Sequence, residues 1–369
     1  MKGTSHIMTA QGILQHTADG VETAILPPGG SENHASFIAT LPDGRLGCVW
    51  FAGSREGNQD VCIWFSRLDG GRWSEPVKVS AEDGTSHQNP VLVPLPNGEL
   101  ELLYTAQDLS GQASAVVLRQ TSSDSGATWS EATTFVDEVG SFIRQPELLL
   151  DGRRILPIFH CPPREGSWHG DADSSSVLVS TDDGQSWTST PVPDSDGSVH
   201  MVILQLSDTS FVALYRSRAA DVVRRSTSAD GEHWSAPEAT DLPNNNSSIT
   251  AIRYPTPDAP DRLLLVGNPV GRAPEQESEG AVWGLPRVPL TLLTSVDLGR
   301  TWTTVLDLET QADADAAGLQ PRRHGHVEIS YPLMVHVPGD AVHVTYTWNR
   351  EAIKHARLPE PVIASLLAR

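Results

Sequence analysis

Histidine, arginine and tyrosine residues stand in short polar segments that each precede an apolar run of the sequence. The main examples are His34, His87, Arg144, His200 and Tyr331. An imidazole can take up a proton near neutral pH, and a guanidinium can bind a carboxylate through two parallel hydrogen bonds. A phenol in a positioned site can pass on a proton. These segments therefore predict a site for acid–base chemistry on an anionic substrate.

His34, Tyr331 and His87 are the candidate catalytic residues. Polar residues at similar places in the sequence are predicted to bind the substrate: Asn33, Arg55, Gln88, Arg144, His200, Arg218, Asn245 and Arg350. For each of them the alternative is that the side chain ties neighbouring structural units together. That alternative applies above all to the asparagines and the glutamine, whose amides commonly bond backbone groups.

An internal repeat of the form Ser-x-Asp-x-Gly-x-Thr-Trp defines the elements that must position these residues. Its copies lie at 66–73, 122–129, 180–187, 228–234 and 295–302, of which the first is degenerate and the fourth is one residue short. Their tryptophans recur every 47–68 residues, which is room for four short strands and their turns. The repeat predicts an all-β propeller over residues 12–369, with four-stranded antiparallel blades. Six blades are expected and seven are possible.

The aspartates of the repeat are predicted to be structural. An aspartate accepts hydrogen bonds from nearby backbone N–H groups, and the glycine that follows tolerates positive φ, so the pair forms a tight turn. Calcium loops of the EF-hand type are the alternative. They fail because no copy carries alternating acidic ligands that end in glutamate. We expect the five tryptophans to cover outer turns of the blades, away from any central pocket.

Composition and charge exclude several classes of function. The formal net charge of −20 disfavours nucleic acid and anionic membrane surfaces as partners. No apolar run is long enough for a transmembrane helix. The histidines show no motif that marks a metal site, and we expect neither a metal nor a cofactor.

The three cysteines and the first residues suggest where the protein works. Three is an odd number, and their spacing is not that of a metal site. We therefore expect buried free thiols, no disulfide and a cytoplasmic location. Residues 1–11 are interpreted as a remnant of an expression tag and a disordered N-terminus.

The repeat resembles that of the bacterial neuraminidases, and nearly the whole chain is similar to the Asp-box (BNR-repeat) sialidase-like superfamily. The resemblance implies an arginine triad, a tyrosine nucleophile with a glutamate base, and an aspartate acid. Tyr331 matches the tyrosine, whereas the first arginine is absent and His34 stands near its place. The segment from Tyr346 to Arg350 also lacks the glutamate that steadies that arginine. Since such propellers close by joining both chain ends, His34 and Tyr331 are expected to be neighbours that face each other across the pocket.

A subgroup of predicted neuraminidases looks closer still. It is similar in the segments His87-Gln-Asn-Pro, Phe142-Ile-Arg-Gln-Pro and Leu242-Pro-Asn-Asn-Asn, and around His200. This subgroup includes lyases that release L-rhamnose from glucuronic acid at glycan chain ends. The resemblance implies an enzyme that cleaves the terminal bond of an oligosaccharide containing uronic acid.

Such a cleavage by β-elimination needs a base, a cation that stabilises the developing charge, and an acid for the leaving oxygen. His34 or His87 is the candidate base. Arg144, with Arg218 or Arg350, is the candidate cation, and Tyr331 is the candidate acid.

Two other functions stay open. The first is an exo-glycosidase or sialidase in which Tyr331 is the nucleophile and Glu328 its base. Glu328 lies three residues away on a predicted strand and is expected to face the opposite side. The second is a glycan-binding propeller without catalysis. In every case the long loops 161–173 and 273–289 are predicted to wall the site.

Overall fold

The computed structural model describes residues 12–17, 19–109, 111–150, 152–162, 170–273 and 280–368. The expectation for residues 1–11 lies outside the described residues. Strands and turns make up almost all of the structure, with two short helices, α1 (Gln311–Ala316) and α2 (Glu360–Leu367), and one 3-10 turn (Gln112–Ser114). Within the described ranges, no helix is long and apolar enough to cross a membrane.

The strands form six antiparallel sheets, which confirms the predicted six-bladed propeller. The chain begins with β1 (Gln15–His16) and β2 (Glu22–Ile25). Blade I holds β3 (Glu32–Thr40), β4 (Leu46–Gly53), β5 (Cys62–Asp69), β6 (Arg72–Trp73) and β7 (Val77–Lys78). Blade II holds β8 (Ser86–Pro94), β9 (Leu100–Gln107), β10 (Val116–Ser122) and β11 (Thr133–Val136). Blade III holds β12 (Ser141–Ile143), β13 (Leu148–Leu150), β14 (Arg153–His160), β15 (Ser174–Ser180) and β16 (Thr188–Pro191).

The second half of the chain completes the ring. Blade IV holds β17 (Ser198–Ser207), β18 (Ser210–Ser217), β19 (Val222–Ser228) and β20 (Glu238–Pro243). Blade V holds β21 (Thr250–Arg253), β22 (Leu263–Gly267), β23 (Leu290–Ser295) and β24 (Thr303–Glu309). Blade VI holds β25 (Ile329–Val337), β26 (Ala341–Trp348) and β27 (Ala352–Pro359) together with β1 and β2.

Blade VI joins the two ends of the chain. Its order is β1-β2-β27-β26-β25, and Thr23 of β2 pairs with Ala356 of β27. Strand β3, which follows β2, packs against β25 and β26. The ring closure therefore brings residues early and late in the sequence side by side.

Four inner strands carry a bulge near their start. Their register shifts occur at Ala35 in β3, Asn89 in β8, His200 in β17 and Tyr331 in β25. All four residues have φ between 48° and 55°, a left-handed conformation that is uncommon for residues other than glycine. A bulge adds one residue to a strand and re-aims the side chains around it. In three of the blades the bulged residue lines the central cavity described below.

The Asp boxes form the local turns that their sequence predicts. In the second copy, the Ser122 hydroxyl accepts a hydrogen bond of 2.8 Å from Gly126 N–H. Asp124 accepts bonds of 2.6 and 2.8 Å from the Thr128 hydroxyl and N–H. These bonds, led by the one from the Thr128 hydroxyl, lower the pKa of Asp124 to about 2. The carboxylate is thus committed to its own turn.

The box tryptophans lie between blades. Trp129 of blade II packs edge-on against Phe65 of blade I, and Trp187 of blade III packs in the same way against Phe135 of blade II. None of the five box tryptophans lines the central cavity, which agrees with the prediction. The boxes therefore hold neighbouring blades together. Cys48, Cys62 and Cys161 are buried and unpaired.

Candidate active site

A cavity of about 340 Å³ lies where the inner strands begin. Among the described residues, five arginines line it: Arg216, Arg218, Arg287, Arg323 and Arg350. Glu56 and Glu328 are the carboxylates on this described part of the wall, which also holds neutral residues such as Phe142, Phe159 and Trp283. The described wall is therefore richer in positive than in negative charge, although the chain as a whole carries a net charge of −20. Such a local field favours an anionic ligand.

Tyr331 occupies the centre of this positive wall. Its phenol oxygen accepts a hydrogen bond of 2.7 Å from Nη1 of Arg216, and the guanidinium carbon of Arg287 lies 5.4 Å from its ring centroid. Burial raises the pKa of Tyr331, but the charges of Arg216 and Arg287 more than offset that effect, so its pKa is lower than ordinary. The phenol is therefore a stronger acid than a free tyrosine.

Arg216 differs from the other arginines of the cavity because no carboxylate of the described residues pairs with it. Its Nε donates to the Asn246 amide oxygen at 2.7 Å, and its Nη1 donates to Tyr331. Its Nη2 is buried and has no hydrogen-bond partner within the described ranges. Burial lowers the pKa of Arg216 to about 10, which leaves the guanidinium charged at neutral pH. Arg216 lines the cavity, so its positive charge can attract a substrate anion.

Carboxylates already pair with the remaining arginines. Glu328 accepts a hydrogen bond of 2.6 Å from Nε of Arg350 and forms an ion pair with Arg287. Glu56 forms ion pairs of 2.9 Å with Arg350 and 2.8 Å with Arg323. Arg218 forms an ion pair of 2.7 Å with Asp173. These four guanidinium groups shape the positive wall, while their charge is partly balanced within the protein.

Glu328 corrects one expectation from the sequence, which placed it opposite Tyr331. Both residues line the same cavity. The reason is the bulge at Tyr331, which shifts the register between Ser330 and Leu333 and breaks the strict alternation of side chains. Burial raises the pKa of Glu328, but the charges of Arg287 and Arg350 more than offset that effect, so the pKa falls well below its ordinary value.

His200 is a neutral imidazole on the cavity wall. Its Nδ1 lies 3.0 Å from the Ser248 hydroxyl and its Nε2 lies 3.4 Å from Nη1 of Arg216. Because arginine can only donate, Nε2 is assigned as the acceptor and Nδ1 as the protonated nitrogen. Burial, followed by the charge of Arg216, lowers the pKa of His200 well below its ordinary value. His200 is therefore unprotonated at neutral pH and can accept a proton.

His34 and Tyr331 are neighbours, as ring closure predicts, but the expectation that they face each other across the pocket is wrong. Their ring centroids are 4.3 Å apart. His34 is fully buried and does not line the cavity. Its Nδ1 lies 2.7 Å from the Thr347 hydroxyl and its Nε2 lies 3.2 Å from Nη2 of Arg350. The imidazole thus supports Tyr331 and Arg350 from behind the cavity wall.

The structure brings together five of the residues that the sequence singled out. Gln88, His200, Arg218, Tyr331 and Arg350 all line the cavity. They come from blades II, IV and VI, or from the turns that follow their strands. These residues converge because the inner strands of all blades begin around one central opening.

The structure places the other predicted residues away from the cavity wall. His87 bonds the hydroxyls of Ser80 and Thr85 at 2.8 and 3.0 Å. The Arg144 guanidinium bonds backbone carbonyl groups, the nearest being that of Ser36 at 3.0 Å. These hydrogen bonds match the alternative interpretation, in which such side chains tie structural units together.

Asn33, Arg55 and Asn245 also lie off the cavity wall. The Asn33 amide oxygen accepts a bond of 2.9 Å from the Trp50 indole, and the Asn245 amide donates 2.7 Å to the Pro286 carbonyl. Arg55 is exposed. Its neighbour Glu56 faces the cavity instead.

Sequence reasoning missed several residues of the cavity, among them Glu56, Trp283, Arg287 and Arg323. Trp283 and Arg287 belong to the loop 273–289, so the prediction that this loop walls the site is confirmed. The signal that could have identified them is a tryptophan and an arginine within a loop already assigned to the wall. Glu56 and Arg323 carry no such signal, because they pair only through the tertiary fold. Most of the loop 161–173 lies outside the described residues.

His324 and His326 line the cavity as well. Across the residues that the structure describes, no group of three or more histidines, cysteines, aspartates or glutamates could hold a metal ion.

Comparison with known proteins places this geometry in context. The model of the BNR repeat-like domain matches residues 44–344, which is most of the chain. No curated protein sequence matches the chain.

Several solved structures share the fold. The chain is 14% identical to the Hadza microbial sialidase Hz136, with a TM-score of 0.70, and covers 89% of its own length and 66% of that chain. It is 13% identical to the NanB sialidase from Streptococcus pneumoniae, with a TM-score of 0.67, covering 92% and 70%. It is 16% identical to a protein of unknown function from Dyadobacter fermentans, with a TM-score of 0.68, covering 92% and 99%. At these identities the likeness shows the fold alone.

Proposed function

The chain belongs to the family of BNR repeat-like domains within the sialidase-like superfamily, and we propose that its cavity is the active site of an enzyme that cleaves a terminal glycosidic bond of an acidic glycan. The observation that carries the proposal is the 2.7 Å hydrogen bond from Arg216 to Tyr331 inside a wall of five arginines. It places a proton-transferring group beside a guanidinium that no carboxylate of the described residues pairs with. Two of the structural neighbours are named sialidases, which supports a carbohydrate substrate.

We propose β-elimination at a uronic acid as the reaction. The substrate carboxylate binds beside the Arg216 guanidinium, and His200 removes the proton from the carbon next to that carboxylate. The electron pair of the broken C–H bond forms the new double bond, and the glycosidic C–O bond breaks. The leaving oxygen takes a proton from Tyr331. Arg216 stabilises the negative charge that develops on the carboxylate, which is a large catalytic effect in a buried site.

His200 takes the role of base in this proposal because it lines the cavity and is neutral. His34 and His87, the earlier candidates, do not line it. The short distance between His200 and Arg216 also fits the reaction, since base and carboxylate-binding group must act on adjacent atoms of one sugar. The products are an unsaturated uronate and a released sugar.

Hydrolysis with Tyr331 as nucleophile is the second candidate. It is favoured by one observation, which is that Glu328 lines the same cavity as Tyr331. Glu328 nevertheless accepts bonds from Arg350 and from the Ser330 hydroxyl at 3.0 Å, and its pKa lies well below the ordinary range. Both oxygens of Glu328 are thus occupied, whereas among the described residues Nε2 of His200 has only a contact of 3.4 Å with Arg216. Elimination therefore fits the geometry better.

The test is to incubate the protein with gum arabic, whose chains end in rhamnose on glucuronic acid, and with a sialylated oligosaccharide. We expect release of rhamnose together with the ultraviolet absorbance of an unsaturated uronate, and no release of sialic acid. Release of sugar without new absorbance would support hydrolysis. Binding to gum arabic without release of any sugar would support a glycan-binding propeller and contradict the proposal.

A further inference from the structure

Arg144 is a buried arginine that no carboxylate pairs with in the described part of the chain. It is 1% exposed and follows the inner strand β12 of blade III. Burial lowers its pKa to about 10, so it is charged at neutral pH. A buried charge without a counter-ion is costly, and its hydrogen bonds therefore show what it is held for.

The guanidinium of Arg144 bonds the backbone at two of the bulges. Its Nη2 donates to the carbonyl oxygens of Ser36 at 3.0 Å and Tyr331 at 3.2 Å, and its Nη1 donates to that of Ala35 at 3.4 Å. Ala35 and Tyr331 both have φ of 54°. One side chain of blade III thus fastens the left-handed residues of blades I and VI.

Arg144 also acts on the phenol itself. Its guanidinium carbon lies 5.6 Å from the centroid of the Tyr331 ring. A cation at that distance from a buried ring stabilises the phenolate. The charge of Tyr331 raises the pKa of Arg144 against the larger effect of burial, whereas Arg216 and Arg287 are the largest charges that act on the pKa of Tyr331.

We propose that Arg144 is a positioning residue, which holds the bulged backbone of Tyr331 in place and keeps a positive charge behind its phenol ring. The inference rests on the proposed function, in which Tyr331 transfers a proton. Arg144 does not line the cavity, so it acts on the substrate only through Tyr331.

Gln145 provides a matched comparison. It is the next residue, it is equally buried, and its amide donates to the Ile249 carbonyl at 2.8 Å and to the Ser248 hydroxyl at 3.3 Å. It ties blade III to the segment that leads into blade V and makes no bond to Tyr331. Loss of Gln145 should disturb the packing around the axis without changing how Tyr331 titrates.

The tyrosines of this chain make Tyr331 measurable without a substrate. There are five, and burial raises the pKa of Tyr104, Tyr215, Tyr254 and Tyr346. Only Tyr331 has a pKa below the ordinary phenol value. An ultraviolet difference titration should therefore show one phenolate step below the ordinary phenol pKa of about 10, and Tyr331→Phe should remove it.

The experiment follows that step in Arg144→Met, Arg144→Gln, Arg144→Lys and Gln145→Met. We expect the two neutral replacements of Arg144 to move the step to a higher pH. Arg144→Lys, which keeps the charge, should hold the step below about 10, and Gln145→Met should leave it at the wild-type position. An unmoved step in either neutral variant, if it is folded by circular dichroism, would overturn the proposal.

Other outcomes are equally decisive. If both neutral variants fail to fold, Arg144→Lys decides, and a step at or above the ordinary phenol pKa in that variant overturns the proposal. A step that Gln145→Met moves as far as Arg144→Met does would show a general packing effect and also overturn it. Failure of the proposed function is distinguishable, because a protein that does not act on gum arabic can still show the predicted titration shifts.

Discussion

Nη1 of Arg216 lies 2.7 Å from the phenol oxygen of Tyr331, although the two residues are 115 positions apart in the sequence. Arg216 stands near the end of β18 in blade IV, and Tyr331 is the bulged residue of β25 in blade VI. The bond crosses the central opening. It joins the group that would transfer a proton to the group that would bind a carboxylate.

Tyr331→Phe should reduce turnover of an acidic glycan by about 10²–10⁴-fold, because a positioned acid or base contributes on that scale. The ring keeps its contact with His34 but loses the hydrogen bond from Arg216, so the thermal midpoint should fall only modestly. Initial rates and a thermal melt measure the two effects. Tyr254→Phe, which changes a tyrosine outside the cavity, is the control. Full activity in Tyr331→Phe would remove this residue from the mechanism.

Arg216→Gln should lower kcat/KM for the acidic substrate by roughly 10- to 150-fold, which corresponds to the loss of one hydrogen bond to a charged group at about 1.5–3 kcal/mol. Arg216→Lys should retain part of the activity, since it keeps the charge but cannot form the fork. Arg253→Gln removes an arginine from an ion pair with Asp261 outside the cavity and serves as the control. Equal loss in Arg216→Gln and Arg253→Gln would contradict the assignment.

A chain of buried hydrogen bonds links blade I to blade VI. The Trp73 indole donates to Nδ1 of His355 at 3.1 Å, and Nε2 of His355 lies 3.0 Å from Nδ1 of His343. Nε2 of His343 lies 3.3 Å from the Asp340 carboxylate. Because an indole can only donate, both histidines must be neutral and in one tautomer. Protonation of His355 or His343 therefore breaks one of these hydrogen bonds.

These buried hydrogen bonds predict that the free energy of unfolding falls in acid. Burial lowers the pKa of His355 well below its ordinary value. Burial also lowers the pKa of His343, and Arg357 adds to that effect, whereas Asp340 raises the pKa of His343. The unfolded chain thus binds more protons below the ordinary histidine pKa of about 6.5. The free energy of unfolding should fall by up to about 1.4 kcal/mol per pH unit for each histidine as pH drops below that value.

Urea unfolding at a series of pH values measures this slope. His355→Asn should fold less stably near neutral pH and lose less of its stability on acidification. His16→Gln, at an exposed histidine, should match the wild type at every pH. The same slope in His355→Asn as in the wild type would show that these buried hydrogen bonds do not set the pH dependence of the free energy of unfolding.

Asp182→Asn should lower the thermal midpoint and leave kcat/KM unchanged. Asp182 accepts bonds from the hydroxyl and N–H of Ser186 at 2.6 and 2.9 Å, and an amide cannot accept all the bonds that a carboxylate can. Asp183→Asn is the control. It changes the adjacent residue of the same turn, where asparagine also tolerates the left-handed backbone, and it should leave the thermal midpoint nearly unchanged. A reduced kcat/KM in folded Asp182→Asn would indicate a functional role for the box.

The sequence by itself determined the fold. Four of the five Asp boxes close their turns within eight residues or fewer, as from Ser122 to Trp129, through hydrogen bonds between near neighbours. The repeat that forms these bonds is visible in the sequence, and the spacing of its copies indicates the length of one blade. The sequence also marked Gln88, His200, Arg218, Tyr331 and Arg350, because polar residues at the starts of inner strands converge at the axis. The cytoplasmic location stays a prediction.

Only the tertiary structure decided which polar side chains face the cavity. His34, His87 and Arg144 stand in the same kind of segment as His200 and Tyr331, yet they turn toward backbone and hydroxyl groups. The difference arises at the bulges, where one left-handed residue shifts the register and overrides strand alternation. The pairing of Arg216 with Tyr331, and of other arginines with Glu56 and Glu328, depends on contacts between blades. Since those contacts join residues far apart in the chain, no local pattern could predict them.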